Sequence, residues 1–110
     1  MGLIIKLLVS GLAVFITAYL LPGVIVDSFV TALIVAVVLG IINTVIKPVI
    51  LLLTLPVTLI TLGLFTFVIN ALMILLTSAL VDGFDVANFW WALLFSLVLS
   101  IVSWFLESLT

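Results

Sequence analysis

Few side chains in this chain of 110 residues could take part in acid–base or metal chemistry. Only six residues carry a formal charge, and there is no histidine and no cysteine. The charged residues are Lys6, Asp27, Lys47, Asp82, Asp85 and Glu107. Without histidine and cysteine the chain lacks the usual zinc ligands, thiol nucleophiles, haem attachment and disulfides. We therefore expect no catalytic residue, no metal and no cofactor.

The spacing of these charges indicates membrane-spanning helices. Three of the four long uncharged pieces between them have the length of a single crossing, since a bilayer core about 30 Å thick needs roughly 20 apolar residues in a helix. The chain is 69% hydrophobic and 5% charged, with a mean hydropathy of +1.87. A chain this apolar cannot form a water-facing domain of its size, and lipid must therefore surround it. The sequence predicts one all-α transmembrane domain over residues 1–110, with four crossing helices.

The first two predicted helices form a hairpin. The first runs from about Leu3 to Leu21 and stops at Pro22-Gly23, because this pair cannot continue a helix without loss of a hydrogen bond. The second runs from about Ser28 to Ile46. Ser28 or Asp27 is a suitable N-cap, because its side-chain oxygen can accept from the amides of the first turn.

The longest uncharged piece, which follows Lys47, is too long for one crossing. Pro48 and Pro56 divide it, so we predict a short interfacial or re-entrant helix from Lys47 to about Leu55. The third crossing then starts at Pro56, with proline in its first turn, and ends near residue 80. After a polar turn at residues 82–85, the fourth helix runs from about residue 88 or 89 to residue 106.

The chain also contains a weak internal repeat. When the chain is shifted against itself, positions 23–43 show eight identities with positions 83–103. This predicts tandem hairpins over 1–46 and 57–110, joined by a connector over 47–56, in parallel orientation. Small residues recur at every fourth position in the second helix of each hairpin, where backbones could approach closely. These helix-packing or oligomer-contact residues are Ala32, Ala36, Gly40, Ala92, Ser96 and Ser100.

The ends of the predicted helices indicate an orientation. Both lysines fall on one side of the membrane and Asp27, Asp82 and Asp85 on the other, so the positive-inside rule places both termini in the cytoplasm. Aromatic residues that could anchor the helices at the lipid–water interface lie near these ends. They are Tyr19, Trp90, Trp91 and Trp104.

Two amides fall inside the predicted membrane layer. Asn70 is near the middle of the third helix and Asn43 is one turn before Lys47. An amide in hydrocarbon needs partners, so both should face protein or water. Asn70 could bond between helices or line a path for a substrate, and Asn43 could instead cap carbonyls freed by Pro48.

Several function classes lack the residues that they need. No ionisable side chain lies within a predicted span, whereas proton-coupled transporters and voltage sensors place such groups there. No serine or aspartate in the membrane has a base partner, so intramembrane proteolysis and acyl transfer lack their minimal groups. Two lysines make no nucleic-acid surface. We predict a non-enzyme with no nucleic-acid partner.

Three motifs resemble a known family. Residues 43–50 read Asn-Thr-Val-Ile-Lys-Pro-Val-Ile, followed by Leu-Thr-Leu-Pro at 53–56, Thr-Leu-Gly-Leu-Phe at 61–65 and then Asn70. This pattern resembles phage holin family 4, the YvlD-like small bacterial membrane proteins, which have a basic residue before the first proline and the same two steps. The resemblance implies a multi-pass protein of the bacterial cytoplasmic (inner) membrane.

Three functions are compatible with this sequence. The first is self-assembly as a homo-oligomer in an envelope-structure or stress role, which the scarcity of polar helix faces favours. The second is a holin-like or channel-like pore. The third is a lipid-handling, flippase-like or accessory role with a bound lipid. The third would require a groove that contains Asn43, Lys47 and Asn70.

Overall fold

Helices form almost all of the structure, a computed structural model that describes residues 2–61 and 63–109. The elements in chain order are α1 (Gly2–Leu20), β1 (Val24–Val26), α2 (Phe29–Leu53), α3 (Leu55–Ile60), α4 (Phe65–Leu80), β2 (Phe84–Val86) and α5 (Phe89–Leu109). In this part of the chain α1, α2 and α5 are long and apolar enough to cross a membrane, and α4 is a shorter apolar helix.

The four larger helices pack as a square. α1 contacts α2 and α5, and α4 contacts the same two helices. α2 and α5 lie at opposite corners, and no Cα atom of α2 comes within 8 Å of a Cα atom of α5 in the described residues. The small residues of α2 and α5 therefore do not bring these two backbones close together in the described part of the chain.

A two-stranded antiparallel ribbon, β1 with β2, covers one end of the bundle. Ile25 lies opposite Asp85. The Ala87 amide donates to the Gly23 carbonyl at 2.9 Å, and the Asp27 amide donates to the Gly83 carbonyl at 3.0 Å. The sequence predicted only turns here, so the ribbon is an addition to the all-α fold that it predicted. Such short strands show too little alternation to stand out, and each pairs with a segment distant in the sequence.

The bundle is closely packed beneath this ribbon. Phe84 of β2 and Phe95 of α5 are fully buried, with ring centroids 5.4 Å apart. Val35 is also fully buried. The buried hydroxyls of Thr17 and Thr77 donate to carbonyls one turn earlier in their own helices, at 2.7 and 2.8 Å. The core directly beneath the ribbon is therefore filled, with these hydroxyls satisfied internally.

The path between α2 and α4 differs from the prediction. α2 does not end at Ile46 but continues through Pro48 to Leu53. Proline removes one backbone hydrogen bond, but leaving the helix within an apolar layer would expose several unpaired groups. The short helix α3 exists, yet it covers Leu55–Ile60.

The third crossing is interrupted as well. A turn separates α3 from α4, and Gly63 has a left-handed φ of +87° there. α4 therefore begins at Phe65 and not at Pro56. At about 1.5 Å per residue α4 spans about 24 Å, less than a hydrocarbon core of about 30 Å. Exposed Leu59 and Ile60 on α3 suit a lipid environment, not water.

Other predicted boundaries are close to the observed ones. α1 is displaced by one position at each end, and α5 begins where expected and extends one turn further, to Leu109. Ser28 is the N-cap of α2, where its hydroxyl oxygen accepts from the Thr31 amide at 3.2 Å. The prediction that Ser28 or Asp27 caps this helix is confirmed for Ser28.

Gly23 provides a test of packing at the ribbon. A Cβ added to Gly23 would collide with the Trp91 indole, whereas a Cβ on Gly40 would meet nothing within 4 Å. We expect Gly23→Ala to destabilise the protein by about 1–3 kcal/mol, as overpacking does. Gly40→Ala should be neutral or slightly stabilising, because alanine is the better helix former.

Thermal unfolding in detergent measures both variants. Trp91 emission, recorded with the other two tryptophans replaced by phenylalanine, should shift for Gly23→Ala only. Equal unfolding temperatures for the two variants would contradict the contact between Gly23 and Trp91.

Candidate functional site

The bundle opens at the end opposite the ribbon, which we call the lysine end. Here a cleft of about 110 Å³ lies between the opposite corners α2 and α5, with α4 at its side. Its lining residues are Leu39, Asn43, Lys47, Asn70, Ile74, Ser96, Leu99 and Ser100. Such a volume holds several water molecules.

A second space of about 180 Å³ adjoins the first on the side of α1. It shares Leu39, Asn43 and Leu99 with the first space, and its other lining residues are Ser10, Val14, Ala36, Gly40 and Ser103. We call the two spaces together the polar cleft. It lies where the backbones of α2 and α5 stay apart, and more than half of the residues that these two helices contribute to it are Ala, Gly or Ser.

The position of the polar cleft along the helices sets its depth. At about 1.5 Å per residue, Asn43 lies about 22 Å and Lys47 about 28 Å along α2 from the Ser28 cap. Asn70 lies about 15 Å from the end of α4 at Leu80 by the same rise. An apolar core about 30 Å thick that began at the ribbon would contain both amides and would end near Lys47.

Several polar side chains line this cleft but form no hydrogen bonds with one another in the described residues. The side chains of Asn43, Lys47 and Asn70 make no hydrogen bond or ion pair with any other residue that the structure describes. The Ser96 hydroxyl donates to the Leu93 carbonyl at 2.8 Å, and that of Ser100 donates to the Ser96 carbonyl at 2.9 Å. The amides of Asn43, an exposed residue, and Asn70, a partly buried one, and the ammonium of the partly buried Lys47 are therefore the donors available to an occupant of the cleft.

The structure brings together the polar residues that the sequence singled out. Asn43, Lys47 and Asn70 line one cleft, although they come from two helices and from both sides of the connector. An interhelical hydrogen bond of Asn70 is absent among the described residues. Pro48 and Pro56 do not line the polar cleft within the described part of the chain.

The small residues divide into two groups. Ala32 and Ala92 are fully buried beneath the ribbon, where they allow close packing. The remaining four, Ala36, Gly40, Ser96 and Ser100, line the polar cleft. In the single chain these four keep a space open between helices and do not bring backbones together.

The aromatic residues predicted as interface anchors are not equivalent. Tyr19, Trp90 and Trp104 are 87%, 69% and 70% exposed, as anchors in an interfacial belt would be. Trp91 is half-buried and covers Gly23, so it contributes to packing at the ribbon. The interfacial role of the other three stays a prediction.

Ser10 and Ser103 also line the polar cleft, although neither was predicted from the sequence. A signal for both was present. The alignment of the chain with itself that revealed the repeat places Ser10 on Asn70 and Asn43 on Ser103. Each amide of the cleft, on α4 and on α2, thus has a small polar counterpart in the other half of the chain.

Comparison with known proteins agrees with this architecture. The family described as "Mycobacterial 4 TMS phage holin, superfamily IV" matches residues 1–105. An uncharacterized protein of Streptomyces coelicolor is 48% identical over 86 residues, which are 74% of this chain and 69% of that protein. The uncharacterized membrane protein YvlD of Bacillus subtilis is 36% identical over 98 residues, 88% of this chain and 82% of YvlD. No solved structure matches.

The resemblance based on the motifs between Asn43 and Asn70 is confirmed by these matches. They agree with the membrane environment that the three long apolar helices indicate. The chain belongs to the four-helix phage holin family of superfamily IV.

Proposed function

We propose that the protein binds the phosphate group of an anionic phospholipid in the polar cleft. The observation that carries this proposal is the convergence of Asn43, Lys47 and Asn70 at one cleft without partners among the described residues. This is the groove that the lipid-handling alternative required. A lipid-binding accessory protein is therefore the function that the geometry supports best.

The donor set suits a phosphodiester. Lys47 supplies a compact positive charge, and the two amides supply four N–H donors. Hydrogen bonds between these donors and an ionised oxygen are stronger than neutral ones, and more so in a partly dehydrated site. A phosphodiester would also give partners to amides that are otherwise unpaired in an apolar layer, where an unpaired amide is unfavourable. Because the cleft lies within the apolar layer, a lipid can reach it from the membrane.

We further infer that the cleft is formed by two tandem hairpins related by an approximate two-fold axis along the membrane normal. The internal repeat supports this, since Ile25 lies opposite its own counterpart, Asp85. The hydrogen bonds at the two ends of the ribbon are also counterparts of each other. With both termini in the cytoplasm, the lysine end faces the inner leaflet.

A pore along the axis of one chain has less support. Such a path would have to pass Phe84, Phe95 and Val35, which are fully buried at the ribbon end. The polar lining stops at Ser96. The cleft is therefore a blind recess, as a binding site would be.

Lys47→Gln tests the site, and Lys6→Gln is its matched control. Lys6 also lies at the lysine end, where it borders Thr44 and Val45, but it is exposed and outside the cleft. A hydrogen bond to a charged group contributes about 1.5–3 kcal/mol, against about 0.2–1 kcal/mol for an exposed pair. We expect Lys47→Gln to lower phosphatidylglycerol retention more than about tenfold, and Lys6→Gln less than about fivefold.

Native mass spectrometry measures this retention on protein released from nanodiscs of mixed phosphatidylglycerol and phosphatidylcholine. The same spectra give the number of subunits. Equal losses for the two variants would show that the lipid is held by surface charge only. Retention of phosphatidylcholine in equal amount by the unmodified protein would also contradict the proposal.

Asn70→Leu separates binding from folding. Leucine fills part of the cleft and removes an amide that has no partner among the described residues. We expect a higher unfolding temperature, because an unpaired amide in an apolar layer is unfavourable, together with loss of retained phosphatidylglycerol. A lower unfolding temperature would show that Asn70 stabilises the fold, and unchanged retention would place the lipid elsewhere.

Self-assembly is the second candidate function. An apolar groove of about 600 Å³ runs between α1 and α2 on the outside of the bundle, with Ser10, Ala36 and Gly40 among its lining residues. These small residues would admit a helix of another copy. Homo-oligomers formed in this way would serve the envelope role, and any pore would lie between subunits.

Gly40→Leu tests this second candidate. A Cβ added at Gly40 meets nothing within 4 Å in the chain, so the variant should fold normally. Val30→Leu is the control, because Val30 is an exposed residue of α2 that does not line the groove. If the groove joins two copies, size-exclusion chromatography with light scattering should show a smaller assembly for Gly40→Leu than for Val30→Leu. The same mass for both variants would exclude this groove as the contact.

A further inference from the structure

The two outer edges of the ribbon are not equivalent. In an antiparallel pair, alternate residues direct their backbone groups toward the partner strand. Gly23 and Asp27, which flank β1, bond to Ala87 and Gly83, so by this alternation Ile25 directs its backbone groups toward β2 and Val24 and Val26 do not. The amide of Val26 and the carbonyl of Val24 therefore point away from the ribbon, toward α1.

A serine satisfies the corresponding edge of β2. The Ser78 hydroxyl, on α4, donates to the Phe84 carbonyl at 2.9 Å and accepts from the Val86 amide at 3.3 Å. A single hydroxyl is thus both donor and acceptor for the outward groups of this short strand.

The edge of β1 lacks this hydroxyl. The residue that the repeat aligns with Ser78 is Ala18, a buried residue of α1. The Val24 carbonyl and the Val26 amide have no hydrogen-bond partner among the residues that the structure describes. Beside them is a cavity of about 220 Å³, lined by Phe15, Ala18, Tyr19 and residues 24–26.

We propose that this cavity binds a free hydroxyl of a lipid head group, in the position that Ser78 occupies beside β2. The chemistry selects a hydroxyl, because an ionised phosphate or carboxylate cannot donate to Val24 and an ammonium cannot accept from Val26. α1 contacts β1 and borders the cavity, so a single hydroxyl fits this edge better than a strand of another chain does. The site lies at the ribbon end and is independent of the polar cleft.

The surroundings indicate a lipid as the source of the hydroxyl. Phe15 and Tyr19 border the cavity, and Tyr19 and Ile25 are largely exposed next to it. Exposed aromatic and aliphatic side chains at the end of a spanning helix lie where head groups meet acyl chains. The apolar part of a lipid can cover these side chains while its hydroxyl enters the cavity.

Two lipids of equal charge test this site. Phosphatidylglycerol has free hydroxyls in its head group, and phosphatidylmethanol has none. We expect hydrogen exchange of the Val26 amide, followed by NMR in nanodiscs, to be about five- to tenfold slower in phosphatidylglycerol, as one added hydrogen bond predicts. Equal rates in the two lipids would overturn the proposal, because water alone would then occupy the cavity.

Two variants make the test reciprocal. Ala18→Ser provides an internal hydroxyl, so exchange at Val26 should be slow in both lipids. Ser78→Ala opens the edge of β2, so the Val86 amide should become dependent on the lipid as Val26 is. Failure of both variants to change these amides would contradict the assignment. Slow exchange caused by free glycerol added to phosphatidylmethanol nanodiscs would overturn a lipid as the ligand.

Discussion

The structure depends on one constraint: backbone polar groups within the apolar layer must find partners inside the chain. α2 continues through Pro48 because one lost hydrogen bond is less unfavourable than the several that would be exposed by ending the helix there. The buried hydroxyls of Thr17 and Thr77 return to carbonyls of their own helices. At the ribbon the linkers that contain β1 and β2 pair with each other, so most backbone groups between the helices have hydrogen-bond partners.

Polar groups that have no partner inside the chain mark the places where a ligand could bind. Most polar side chains in the helices are satisfied locally, but Asn43, Asn70 and Lys47 gather at one cleft without partners in the described residues. Small residues make that possible. Stripes of small residues allow close helix contact, yet Gly40 and Ser100 lie on α2 and α5, whose Cα atoms stay more than 8 Å apart within the described part of the chain. Small residues can bring two helices together, but in this chain they line the polar cleft and keep it open.

The sequence predicted the membrane environment, the family, the position of most helix ends and the Ser28 cap, because charge spacing and capping are local signals. It did not predict the ribbon or the length of α2, because pairing of β1 with β2 and tolerance of Pro48 depend on the surrounding structure. The residues of the cleft were recognised individually as unusual polar groups. Their convergence could not be predicted, since it requires knowing which helices lie at opposite corners of the bundle.

If the two hairpins arose by duplication, the residues that differ between them determine which side of the axis carries each proposed binding site. Two identical hairpins would give identical sites on both sides of the axis, with neither preferred. The alignment of the two halves instead places Lys47 on Glu107, Ser10 on Asn70 and Ala18 on Ser78. The first two differences concentrate positive charge and amide donors in one half of the polar cleft, and the third leaves one edge of the ribbon without its hydroxyl. A single phosphate would then bind on one side of the axis, so the proposed binding depends on departures from symmetry within a symmetric scaffold.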